Sequence, residues 1–260
     1  MTTSAQPARP LVRDGVRIHY DVVGSGHAEV LLAHGLTGTG QADWRRLLPA
    51  LTPAYRCVVP DLRGHGSSEF RDDDFSFDAM REDLCALVDH ERLRRPHLVG
   101  FSMGAELMLS VELARPGTAR SLVLIGASTG CPPDRGGYGV IDADPPHWPH
   151  VLRRLHVEQH GPEHWRTLFR RIAGTWHERP EVPATRLAAI RCPVLVIHGE
   201  GEAPYKQRQA RALAAAAPEA RLHVIAEADH PVHVQQPAAV NALVRDFLAE
   251  VDRGQAAQVS

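Results

Sequence analysis

The sequence predicts an α/β protein, a mostly parallel sheet with helices on both faces. Three observations carry that expectation. Short apolar runs alternate with longer amphipathic segments along the chain. Several runs, such as 97–101 and 121–126, are apolar nearly throughout, as strands buried on both faces are. The alternation breaks between Ala127 and Ile190 and then resumes, which reads as an insertion into one core rather than a second independent domain.

The elements follow in order. Runs 11–13 and 16–22 flank Asp14-Gly15, a hairpin signal, and that hairpin is expected at an antiparallel edge of the sheet. Run 30–33 predicts a buried strand, and 43–51 a helix after it. Run 55–60 predicts the next strand. Over 77–92 the apolar positions Met80, Leu84, Leu87 and Val88 have helical spacing. A strand at 97–101 leads into a helix at 103–114 that stops before Pro116. A strand at 121–126 precedes the insertion, in which 148–159 and 162–176 are helix-like. Beyond it come a strand at 194–198, an Ala-rich helix at 205–217 and a strand at 222–226. A last helix at 237–251 carries Pro in its first turn. Residues 254–260 are expected as a frayed tail.

Composition narrows the function classes. The net charge is −2 over 260 residues, so no global field draws nucleic acid or an anionic membrane. No apolar run approaches the 18 residues a membrane span needs, and residues 1–10 lack the apolar core of a signal peptide. The four cysteines (Cys57, Cys85, Cys131, Cys192) lie far apart and form no metal or disulfide spacing, so a reduced, cytoplasmic setting is expected. The basic residues are 28 Arg and one Lys, Lys206. The Arg residues are scattered, which reads as the codon usage of a GC-rich genome and assigns no role in mechanism to either residue type.

The chemistry enters at Gly100-Phe101-Ser102-Met103-Gly104. This G-x-S-x-G lies between an apolar strand and an apolar helix, the context that gives the pattern meaning. A sharp strand-to-helix turn there would project the Ser102 hydroxyl. The Met103 N–H and the helix dipole would then face developing negative charge. His34-Gly35-Leu36 follows the 30–33 strand, and the Leu36 N–H is the second candidate oxyanion donor. His34 itself is expected to order its loop.

Five segments together resemble the α/β-hydrolase fold serine hydrolases, the esterase, lipase and thioesterase-like members with a helical cap. They are H-G-L-T-G at 34–38, D-L-R-G-H-G-S-S at 61–68, G-F-S-M-G at 100–104, P-V-L-V-I-H-G at 193–199 and D-H at 229–230. The resemblance implies a mostly parallel eight-stranded sheet, a cap inserted after the sixth strand, and the chain order nucleophile, acid, base. The core is then 1–127 and 191–260, and the cap 128–190. His230, after the last strand, takes the place of the base. The acid position, three residues after Gly199, holds Glu202 where the family usually has Asp. Glu200 is the alternative, and a degraded triad is a third possibility. His233 is expected at the cap interface or the surface, and Arg63 and His65 as loop-ordering residues.

In the insertion, Trp148 and Trp165 are candidates to line an apolar substrate pocket, although tryptophans commonly anchor a small cap. His156, His160 and His164 have helical spacing, but no metal motif is present, and neither metal nor cofactor is expected. The expected partner is a small-molecule substrate; nothing marks an oligomer surface. The implied reaction is acyl transfer to water on a carboxylic ester, thioester or lactone. Carbon–carbon bond hydrolysis and perhydrolysis use the same three residues. A non-hydrolytic binding or lyase-like member of the fold is the remaining alternative.

Overall fold

Asp14 and Gly15, both left-handed at φ 52° and 76°, turn the chain between its first two strands, β1 (Leu11–Arg13) and β2 (Val16–Ile18). This computed structural model describes residues 10–130, 155, 160, 161, 163–177 and 181–259. The hairpin departs from expectation in one respect. β1 and β2 form a two-stranded sheet of their own, and run 16–22 breaks at His19 before β3 (Tyr20–Val23). The cause is local: the His19 N–H donates to Ser68 Oγ at 2.8 Å and its carbonyl accepts the Asp61 N–H at 2.9 Å. Both ladder groups of His19 are thereby taken by the 61–68 loop.

The large sheet therefore has seven strands rather than eight, in the order β3-β5-β4-β6-β7-β8-β9. The others are β4 (Ala28–Ala33), β5 (Tyr55–Pro60), β6 (His97–Phe101), β7 (Ser121–Ile125), β8 (Val194–Gly199) and β9 (Ala220–Ile225). Only β3, at one edge, runs antiparallel. Every residue of β6, β7 and β8 is buried, which is why these runs lack polar alternation.

Helices cover both faces. α1 (Gly40–Trp44), α2 (Leu48–Leu51) and the last helix share one core with Val30, Val99 and Ile197. The expected single helix at 43–51 is thus two short ones. α3 (Phe77–His90) and α4 (Met103–Ala114) pack in the opposite core with Leu31, Leu98 and Leu124. After β7, the fifth strand of the large sheet, come the described helices α5 (His164–His177) and α6 (Ala184–Leu187). α7 (Pro204–Ala216) joins the α3–α4 side, and α8 (Val232–Gln235) leads into α9 (Pro237–Val259). α9 stays helical through 254–259, where a frayed tail was expected. No helix among the described residues is long and apolar enough to cross a membrane.

This topology places the site. The chain runs from β4 outward to β5, then returns to β6 on β4's other side. The crevice beyond the carboxyl ends of β4 and β6 is the switch point where α/β sheets bind ligands.

Candidate active site

Ser102 stands at that crevice, between the end of β6 and the first residue of α4. Its backbone is held at φ 52°, ψ −119°, a conformation L-residues rarely adopt, and its N–H donates to the Ile125 carbonyl at 2.8 Å. The two flanking glycines are dictated by close approach. A Cβ on Gly100 would lie 2.5 Å from the Ala105 backbone, and one on Gly104 would lie 2.1 Å from the Ala33 carbonyl oxygen. The turn can be this tight only because α4 is pressed against β6 and β4.

The structure brings Ser102, His230 and Glu202 together. Ser102 Oγ lies 2.8 Å from His230 Nε2, and Glu202 Oε2 lies 2.6 Å from His230 Nδ1. Glu202 also accepts the Ala203 N–H at 3.1 Å. Glu200 is not brought in; it is exposed, with its carboxylate toward the Glu227 N–H. Burial works against the charge of Glu202, but the His230 hydrogen bond and the Lys206 ammonium outweigh it and hold the group down at about 2. Burial is also the largest influence on His230 and lowers it; the Glu202 hydrogen bond opposes and Lys206 adds to the lowering. At neutral pH the pair is therefore a carboxylate beside a neutral imidazole. With Nδ1–H donating to Glu202, Nε2 presents its lone pair to the Ser102 hydroxyl, and the arrangement can take a proton from it.

The loop after β4 is built around a buried His34. Its Nδ1–H donates to the Gly35 carbonyl at 2.7 Å and its Nε2 accepts the Leu62 N–H at 2.9 Å, which fixes its tautomer and ties this loop to 61–68. His65 Nε2–H donates to the Leu36 carbonyl at 2.8 Å. Asp43, pushed up to about 6 by burial, accepts the Gly35 N–H at 2.8 Å. A Cβ on Gly35 would sit 3.5 Å from Ser102 Cβ, so the loop that carries Leu36, one candidate N–H donor, passes beside the nucleophile, and Met103, the other, follows it in the chain.

Arg63 does not face this crevice. It is fully buried and paired through two 2.8 Å hydrogen bonds to Asp83 and one of 2.5 Å to Asp74. Trp165 is 3% exposed and packs against Phe169 and Leu36. Trp148, with Cys131, His147, His150 and His156, lies outside the described residues. His160 Nε2–H donates to the Ser68 carbonyl at 2.8 Å and His164 Nε2–H to the Gly64 carbonyl at 2.9 Å, so these two histidines dock their segment onto the 61–68 loop. Among the described residues no cluster of three His, Cys, Asp or Glu is placed to hold a metal. His233 is not at the surface, and its ring contacts among the described residues are with the core. α8 turns it inward, 3% exposed, between Trp44 and Phe101 at ring distances of 5.6 and 4.2 Å.

Sequence reasoning missed three residues. Lys206 Nζ is 3.2 Å from His230 Nδ1 and 3.3 Å from Nε2. Glu106, on the first turn of α4, is 2% exposed, bonds the Ser128 hydroxyl, and acts electrostatically on both Lys206 and His230. Gly126, at φ 59°, lets the end of β7 approach the imidazole; a Cβ there would lie 3.1 Å from His230 Cε1 and Nδ1. Only Lys206 had a legible signal, its i, i+4 spacing from Glu202.

With this geometry in view, the profile of the alpha/beta hydrolase family matches residues 30–243. The chain belongs to the alpha/beta hydrolase family. This hydrolase is 28% identical over 246 residues to the serine hydrolase BPHL of Mus musculus, with 90% of this chain and 84% of that protein covered. It is 24% identical over 274 residues to the 2-hydroxymuconate semialdehyde hydrolase of Pseudomonas sp. (strain CF600), with 96% of each covered. Among solved structures, the enol-lactonase of Burkholderia xenovorans LB400 superposes with a TM-score of 0.76 at 22% identity, over 93% of this chain and 100% of that one.

Proposed function

We propose that this hydrolase cleaves a carboxylic ester, thioester or lactone through an acyl-enzyme on Ser102. The observation that carries the reading is the hydrogen-bonded chain from Glu202 through His230 to Ser102, at 2.6 and 2.8 Å. His230 Nε2 takes the hydroxyl proton as Ser102 Oγ attacks the carbonyl carbon. The tetrahedral oxyanion is held by the N–H groups of Met103 and Leu36. Glu202, ionised, stabilises the imidazolium and keeps it oriented. His230 then protonates the leaving group, and the acyl–oxygen bond to Ser102 remains. Water, giving its proton to Nε2, attacks that ester, and collapse of the second tetrahedral species frees the acid and restores the Ser102 hydroxyl. None of these steps calls on a cofactor.

We read 128–190 as the cap that selects the acyl group, with Trp165, packed with Phe169 against Leu36, as its described contact with the oxyanion loop. A second reading has one observation in its favour, the full-length likeness to a 2-hydroxymuconate semialdehyde hydrolase. In that reading the same three residues hydrolyse a carbon–carbon bond next to a carbonyl. Purified protein assayed on a panel of esters, thioesters and lactones, and on 2-hydroxymuconate semialdehyde, separates the two. Turnover of the panel that vanishes in Ser102→Ala supports the first reading. Turnover of the semialdehyde alone overturns it.

A further inference from the structure

The single lysine of the chain is buried against the imidazole of His230. Both in-plane nitrogens of that ring are engaged, Nδ1 with Glu202 and Nε2 with Ser102. A point 3.2 and 3.3 Å from the two nitrogens, if it lay in the ring plane, would collide with Cε1. The ammonium therefore rests on the ring face. Its own α7 places it there, with Pro204 at the helix start and Glu202 one turn earlier, 4.0 Å away.

Charge explains why a cation belongs at this spot. Glu202 and Glu106 are both buried, at 5% and 2% exposure, and both act on His230. Two uncompensated carboxylates beside an imidazole favour its protonated form, which cannot accept the Ser102 proton. One ammonium offsets one of those charges. The resting site then carries a single excess negative charge, which the imidazolium neutralises only as it forms. Among the described residues, the other titratable groups facing the ring are His198, from β8, and His233, from α8; burial holds both at about 4, so both are neutral above that pH.

We propose that Lys206 is a positioning residue of this hydrolase: its ammonium, lying on the face of His230 and compensated by Glu202 and Glu106, holds the ring as the neutral acceptor that faces Ser102. This rests on the assignment of Ser102 as nucleophile. The direction of its effect on His230, a lowering, agrees with the geometry.

The test is the rate of Ser102 labelling by a fluorophosphonate between pH 4.5 and 9, which needs no knowledge of the substrate. In Lys206→Met the acid limb moves up by about one pH unit, so labelling at pH 5 falls about tenfold relative to that variant's own alkaline plateau. Should that variant not fold, Lys206→Gln keeps a polar head at the ring while removing the same charge and leaves both carboxylates in place, and its limb also moves up. A folded variant whose limb stays at the wild-type pH, or moves down, overturns the proposal whatever happens to the plateau. A wild-type protein that never labels at Ser102 brings down the nucleophile assignment, and this inference with it.

Discussion

Replacing Glu202 by Gln tests how the site is wired and has a magnitude that follows from the structure. Glu202 is 5% exposed, and burial alone would raise it, yet it is held from its ordinary 4.5 down to about 2. That difference corresponds to about 3 kcal/mol in favour of a carboxylate at this position. The imidazolium that forms during attack draws on the same interaction. Losing it raises the barrier by a similar amount, a factor of about 10² to 10³ in rate. A Gln amide can also donate to Nδ1, which would leave the proton on Nε2 and bring the loss toward about 10⁴. The assay is kcat/KM on an activated ester for Glu202→Gln beside Glu200→Gln, with melting temperature as the check on folding. Glu200→Gln, exposed and outside the crevice, stays within about threefold of wild type. A folded Glu202→Gln within threefold of wild type, or a larger loss in Glu200→Gln, would refute the wiring.

Other outcomes follow from the same contacts. Gly126→Ala puts a Cβ 3.1 Å from the imidazole and forces a left-handed alanine; kcat falls about tenfold or more while the loss of stability stays near 1 kcal/mol, measured by urea unfolding. Arg63→Met leaves Asp83 with Arg13 as its one partner among the described residues and costs about 3 kcal/mol by the same measurement; KM of the folded fraction is unchanged, because Arg63 is fully buried in ion pairs away from the crevice. His198 and His233, held at about 4, stay neutral in the fold while the unfolded chain takes up their protons below about 6.5. The unfolded state binds more protons in that window, so stability is lost as pH falls from about 6.5 to about 4, by up to about 3 kcal/mol per residue. The melting temperature drops accordingly, His233→Phe recovers part of the drop, and a flat profile from pH 7 to 5 would refute this.

Much of this was legible because backbone geometry imposes it. Gly100 and Gly104 around Ser102 mark a turn in which any Cβ strikes backbone, and that constraint is visible in five consecutive letters. Apolar runs with no alternation gave away the buried parallel strands. The split at His19 was not legible, since it depends on Ser68 and Asp61 arriving from 40 or more residues away. His233 was misplaced for a similar reason: in a four-residue helix, the face that turns inward is decided by Trp44 and Phe101 on other elements. Lys206 is the instructive case. Dismissing the Arg excess as codon usage also dismissed the one lysine, which lies against the imidazole. Its partner Glu106 was invisible in sequence because a carboxylate on the first turn of a helix normally faces solvent; here β7's exit and α7 enclose it.

The most direct measurement is mass spectrometry of the protein quenched during turnover of an activated ester. An acyl group on the peptide carrying Ser102, absent in Ser102→Ala, is what this account predicts. Undiminished turnover by Ser102→Ala, or an acyl group on any other residue of a turning-over enzyme, would contradict it.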